Sequence, residues 1–233
     1  MGGRALPCGG GLRSAPMTEL VAHVRPAAGE PEGALVLMHG RATGEQDLAP
    51  LLDVFDPDRR LVGLAPRGPL ELPPGGRHWY AIRQLGYPDP ETFAATFGAL
   101  TAWLDGALAE HGVGLERTVL GGFSQGGVMA YALGLVRGRP TPAGILALSS
   151  FMPTVEGYEL DLSDRAGFPA AIAHGELDQI IPVDWGRQAA ERLREAGADV
   201  LYRESPVPHT LDPRELPTFV EWLRRRLEPA AAE

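Results

Sequence analysis

Lysine and asparagine are both absent from this chain, and Cys8 is its only cysteine. Without lysine there is no Schiff base, no P-loop lysine and no lysine general base. Without asparagine there is no N-glycosylation acceptor. A single cysteine makes neither an internal disulfide nor a zinc or iron–sulfur cluster, so a reducing compartment, the cytoplasm, is the expected location. All 21 cationic residues are arginine, and 30 acidic residues bring the formal net charge to −9. That balance disfavours a nucleic-acid surface, which needs clustered positive charge. No apolar run reaches the roughly 18 residues needed to cross a bilayer, and no internal repeat is evident. What remains is an ordinary globular composition, 44% hydrophobic over 233 residues, enough for one sizeable core.

Residues 1–16 are rich in glycine and lack the apolar stretch of a secretory signal, so they read as a disordered extension. Residues 17–228 read as one domain and 229–233 as a flexible tail. Within the domain, short β-rich apolar runs alternate with longer helical patterns. Strands are expected at Leu20–Val24, Ala34–His39, Arg60–Ala65, Thr118–Phe123, Gly144–Ser149, Ala170–His174 and Val200–Glu204. Helices are expected at Asp47–Phe55, Pro90–His111, Gln125–Val136, Val183–Ala196 and Arg214–Leu227. In the second of these helices Phe93, Phe97, Leu100, Leu104 and Leu108 recur every three or four residues, an apolar stripe that belongs to the core. The predicted class is α/β, a mostly parallel central sheet with helices on both faces and no large cap domain. Pro66–Gly76 and Phe151–Gly167 have no clean period and read as loops over one end of the sheet. Ligands of such folds bind at the carboxyl ends of the strands. Arg224-Arg225-Arg226 ends a helix, where cations suit the dipole, and reads as a solvated face.

The strand Thr118–Phe123 runs straight into Gly122-Phe123-Ser124-Gln125-Gly126, a G-x-S-x-G string, and then into a helical run. From the glycine and serine content such a string arises by chance about 0.1 times in a chain this long, so its setting between strand and helix carries the weight. A serine on a sharp strand-to-helix turn is strained, and glycines two before and two after let strand and helix approach. The helix N-terminus beneath supplies N–H groups and a positive dipole end suited to an oxyanion.

Serine needs a base, and the base an orienting carboxylate. In strand–turn–helix serine sites the chain order is Ser, acid, His. Gly175-Glu176-Leu177-Asp178 follows the strand ending at His174 and offers Asp178, with Glu176 as competitor and Asp184 as a first-turn helix charge. Pro206-Val207-Pro208-His209 follows the last strand and offers His209 as the base. His39 and His174 precede glycines at strand ends and read as packed structural residues. His111 ends a helix, and His78 precedes Trp79-Tyr80 on a loop that either faces substrate or does not.

These residues, with Leu37-Met38-His39-Gly40-Arg41, Ala65-Pro66-Arg67-Gly68-Pro69, Trp79-Tyr80, Leu148-Ser149-Ser150-Phe151-Met152-Pro153 and His174-Gly175-Glu176-Leu177-Asp178, resemble the phospholipase/carboxylesterase family of small α/β-hydrolases. The resemblance covers nearly everything after Met17. It implies an α/β-hydrolase fold and a serine hydrolase of carboxylic or thioester bonds, with a triad of Ser124, Asp178 and His209. It also implies an oxyanion hole from the backbone N–H groups of Arg41 and Gln125, and no metal or other cofactor. Phe151 and Met152 are expected in the substrate pocket. Trp79 and Tyr80 either wall that pocket or anchor their loop to the core. The expected partner is a small-molecule ester, with a homodimer as a further option. The alternatives are a lysophospholipase, an acyl-protein thioesterase and a non-catalytic binding protein on the same fold. Two departures stand out. Ala42 occupies a position where many relatives have glycine, which predicts a different bend. Arg41 stands where thioesterase relatives commonly have an apolar residue, and its side chain either faces solvent, pairs with Glu45 or Asp47, or meets an acidic group on the substrate.

Overall fold

The computed structural model describes residues 20–227; the expected extension 1–16 and tail 229–233 lie outside the described residues. In chain order the elements are β1 (Ala22–Arg25), β2 (Gly33–Met38), α1 (Ala49–Phe55), β3 (Leu61–Pro66), β4 (Leu70–Leu72), β5 (Gly76–His78), β6 (Ile82–Gln84), β7 (Tyr87–Pro88), α2 (Pro90–Glu110), β8 (Thr118–Phe123), α3 (Gln125–Gly134), β9 (Gly144–Leu148), β10 (Pro169–Gly175), α4 (Val183–Glu195), β11 (Asp199–Ser205) and α5 (Leu216–Leu227). Seven strands make one sheet in the order β1-β3-β2-β8-β9-β10-β11. β1 runs antiparallel to β3, with Ala22 opposite Pro66, and every other pairing in this sheet is parallel.

Both faces of the sheet are covered, which is why its central strands are buried along nearly their whole length and do not alternate. Along β2, Ala34, Val36 and Met38 belong to the apolar layer that also holds the buried residues of α2, α3 and α4, while Leu35 and Leu37 belong to the layer on the other face with those of α1 and α5. The stripe on α2 behaves as its spacing predicts: Phe93, Leu100, Leu104 and Leu108 are buried and Phe97 packs beside them. That helix starts where Asp89 accepts the Thr92 N–H at 2.9 Å, with Pro90 in the first turn, a capped N-terminus with the missing donor of proline placed harmlessly.

Several boundaries differ. A 3₁₀ turn, Pro213–Glu215, precedes α5. The stretch Pro66–Gly76 holds β4 and the start of β5, which pair as a hairpin. A second hairpin, β6 with β7, pairs Gln84 with Tyr87 across Leu85-Gly86, where Gly86 has φ 84°, the left-handed conformation glycine adopts without steric cost. Residues 149–168 carry one isolated bridge, Val155 with Tyr158. The β6–β7 hairpin and the start of this irregular segment line a cleft with Ser124 at the carboxyl end of the sheet, and among the described residues no cap domain is inserted.

Candidate active site

Ser124 links β8 to α3 with φ 54° and ψ −118°, a conformation that costs an L-residue of order 1–2 kcal/mol. The glycines around it are required by contact. A Cβ at Gly122 would strike the Gly126 backbone, and one at Gly126 would collide with the Met38 carbonyl of the neighbouring strand. The serine is 8% exposed and sits on the wall of a cleft. Gln125 opens α3, so its N–H has no acceptor within the helix and is free to meet an oxyanion.

Asp178 and His209 come from different loops and meet: His209 Nδ1 lies 2.6 Å from Asp178 Oδ2. The other carboxylate oxygen accepts the N–H groups of Ile180 and Ile181 at 2.8 and 2.9 Å, so the loop clamps the carboxylate before the imidazole arrives. With Oδ2 accepting, Nδ1 carries the proton and Nε2 presents a lone pair. The ring of Phe123, the residue before Ser124, lies 4.8 Å from the His209 ring, which brings the imidazole to the serine turn. Glu176, the competing acid, is exposed. Asp184 pairs with Arg187 at 2.8 Å on α4.

His39 and His174 are buried supports. His39 Nε2 accepts the Gly68 N–H at 2.9 Å and its Nδ1–H donates to Gly40 O at 2.7 Å, holding the Gly40-Arg41 turn. His174 Nε2–H donates to Ile181 O at 2.9 Å and lies 3.5 Å from Asp178. Burial pushes both imidazoles below the ordinary value of 6.5, and the Nε2 of His39 must be unprotonated to accept from Gly68.

Of the two alternatives for Trp79, the structure shows the anchoring one. Its ring is fully buried, 5.0 Å from that of His39, and its indole N–H donates to His39 O at 2.8 Å. It anchors the loop and is not on the cleft wall. Tyr80 does reach the cleft. Phe151 lines both this cleft and an adjoining one, and Met152 lines the second alone. A residue whose part the sequence left unread is Gln125: its Oε1 accepts the Trp79 N–H and its Nε2 donates to Tyr80 O, both at 3.1 Å. The β6–β7 hairpin also went unread, and it supplies Ile82, Gln84, Leu85, Gly86 and Tyr87 to the cleft; the only signal was the Leu85-Gly86 turn between alternating residues. His78 bonds instead to Tyr80 O at 3.1 Å.

Ala42 takes φ 73° and donates to Arg77 O at 2.9 Å, so the turn after His39-Gly40 is left-handed although alanine stands there. Arg41 lines the cleft beside Ser124. Its candidate partner Glu45 is occupied by Arg67, with Nε at 2.6 Å, a pair that holds the Glu45 carboxyl down at about 2. No group of three or more metal-ligating side chains occurs among the described residues, and no helix there is long and apolar enough to cross a membrane.

Residues 20–227 match the model of the Phospholipase/Carboxylesterase family. The chain is 29% identical over 226 residues to acyl-protein thioesterase 1 of Gibberella zeae, covering 88% of this chain and 95% of that one. It is 25% identical to lysophospholipase-like protein 1 of Mus musculus over 85% of this chain and 89% of that one. The crystal structure of the Bacillus cereus carboxylesterase shares the fold, with a TM-score of 0.78 at 24% identity over 90% of this chain and 95% of that one.

Proposed function

The chain belongs to the phospholipase/carboxylesterase family, and from that premise we propose that it hydrolyses carboxylic esters of small or medium acyl groups through Ser124, His209 and Asp178. The observation that carries the reading is the 2.6 Å contact of a clamped, fully buried Asp178 with His209, beside a serine held at φ 54°. In the cycle, His209 Nε2 takes the Ser124 proton as Oγ attacks the ester carbonyl, and Asp178 stabilises the imidazolium. The Gln125 and Arg41 N–H groups receive the oxyanion; removing one such donor typically costs about 3 kcal/mol. His209 then returns the proton to the leaving alcohol. Water, deprotonated by the same imidazole, attacks the acyl-enzyme and frees the acid.

A second reading is a lysophospholipase or thioesterase. It is favoured by exposed Ile82, Leu85, Tyr87 and Ile180 along the cleft, apolar surface on which a long acyl chain lies comfortably. A chain-length series of nitrophenyl esters beside a lysophospholipid and a palmitoyl-peptide separates the two, and preference for long chains sinks the first. Fluorophosphonate labelling tests both: wild type is modified at Ser124, and Ser124→Ala is neither labelled nor active. An unlabelled but folded wild type would leave a binding protein on the same fold. A cytoplasmic location and a homodimer belong to the same proposal, the latter checked by sedimentation.

A further inference from the structure

Arginine carries every fixed positive side chain in this protein, and where each guanidinium goes is therefore a map of its cation use. Among the described residues, all arginines but two meet a carboxylate, a carbonyl or an aromatic face. The two exceptions are Arg41 and Arg192, and both line the groove that begins at Ser124. Arg41 stands in the cleft of about 440 Å³ with the serine, and Arg192 in the adjoining one of about 560 Å³. The clefts share Gly86, Tyr87 and Phe151, and neither has an aspartate or glutamate in its wall. Two unneutralised cations thus face one groove in a chain whose net charge is −9.

Arg192 has a reason of its own to be where it is, since it lies in the last turn of α4, where a cation suits the dipole. Arg41 has none. Arg41 lines a cleft whose walls are mostly apolar, and the acid four residues on, Glu45, is held by Arg67. A planar guanidinium left without an acceptor next to a reacting centre is shaped to take a carboxylate through two parallel N–H bonds. We propose that the groove selects esters that themselves carry a carboxylate, received by Arg41 beside Ser124, with Arg192 adding to the attraction from the far end.

This rests on the serine-hydrolase reading above, and the test keeps the two apart. The kcat/KM values of mono-4-nitrophenyl glutarate and its neutral isostere, 4-nitrophenyl 5-methylhexanoate, are compared after subtraction of spontaneous hydrolysis. Wild type favours the anionic ester by about tenfold, the low end for a charge-assisted pair in a half-open site. That ratio shrinks as salt rises to about 0.5 M, because a pair open to solvent is screened. Arg41→Met brings the ratio close to one whatever it does to the two rates separately, Arg41→Lys keeps part of it, and Arg192→Gln lowers it less. A wild-type ratio at or below one, or a ratio unchanged in Arg41→Met, overturns the inference while leaving the esterase intact. Hydrolysis of neither ester, with no Ser124 labelling, removes both.

Discussion

Replacing Asp178 by asparagine changes one atom of the site and tests how the histidine is held. One carboxylate oxygen is already committed to the Ile180 and Ile181 N–H groups at 2.8 and 2.9 Å. An asparagine must keep its carbonyl oxygen there, because turning the amide over would point NH₂ at two backbone donors. The NH₂ group then faces His209 Nδ1, which lies 2.6 Å from the replaced oxygen. Nδ1 must become the acceptor, and the proton moves to Nε2, the atom that should receive the serine proton. A wrong tautomer of this kind is worth about 10⁴ in kcat, or roughly 5.5 kcal/mol of transition-state stabilisation. The volume is unchanged, so melting should move by only a few degrees. The assay is kcat/KM on 4-nitrophenyl butyrate beside circular dichroism, with Glu176→Gln as control, expected within twofold of wild type because Glu176 is exposed. A folded Asp178→Asn within tenfold of wild type refutes the assignment, and a large loss in Glu176→Gln would transfer the role.

Acid should weaken the protein before its carboxylates titrate. Burial lowers the folded pKa of His39 and His174 below 6.5, so the unfolded chain binds protons that the folded chain refuses. Their contribution is complete above about 6.5 and is lost as pH falls through that value toward the folded pKa, by up to about 1 kcal/mol per histidine at pH 5.5. Calorimetry should then find Tm falling with pH over that interval, by at most about 2–4 °C for each, and a flat Tm counts against the neutral state of the two rings. Far from the site, Arg25 and Asp56 are each 4% exposed, their side chains are 2.6 Å apart, and the guanidinium also donates to the Leu52, Asp56 and Leu61 carbonyls. Arg25→Met leaves the buried Asp56 carboxylate with only the Arg60 and Leu61 N–H groups, which should cost up to about 3–5 kcal/mol, seen as a fall in Tm of up to roughly 6–20 °C; a loss under 1 kcal/mol by urea titration would show that these bonds or water already compensate the charge.

The serine turn was legible because its causes are local. A strand running into G-x-S-x-G and then a helix carries its own steric requirement, and the contacts of Gly122 and Gly126 bear that requirement out. The α2 stripe and the non-alternating, buried β2 and β8 were legible for a related reason: periodicity records which sides of an element are buried, and both sides of this sheet are. The β4–β5 and β6–β7 hairpins were not, since strands of two or three residues are too short for a period to show.

Side-chain partnership across loops is where sequence stopped. Nothing in Trp79-Tyr80 says that one ring goes to the core and its neighbour to the cleft, because that depends on His39 O and the Gln125 amide waiting from other elements. Nor can proximity in the chain tell that Glu45 turns to Arg67, 22 positions away, and leaves Arg41 without a partner. From sequence alone come the α/β class, the strained serine and the candidate acid and base, all determined by local sterics and pattern. The shape and charge of the groove were decided only when the loops after four strands, the β6–β7 hairpin and α4 converged, because each polar atom takes the best partner that folding brings within reach.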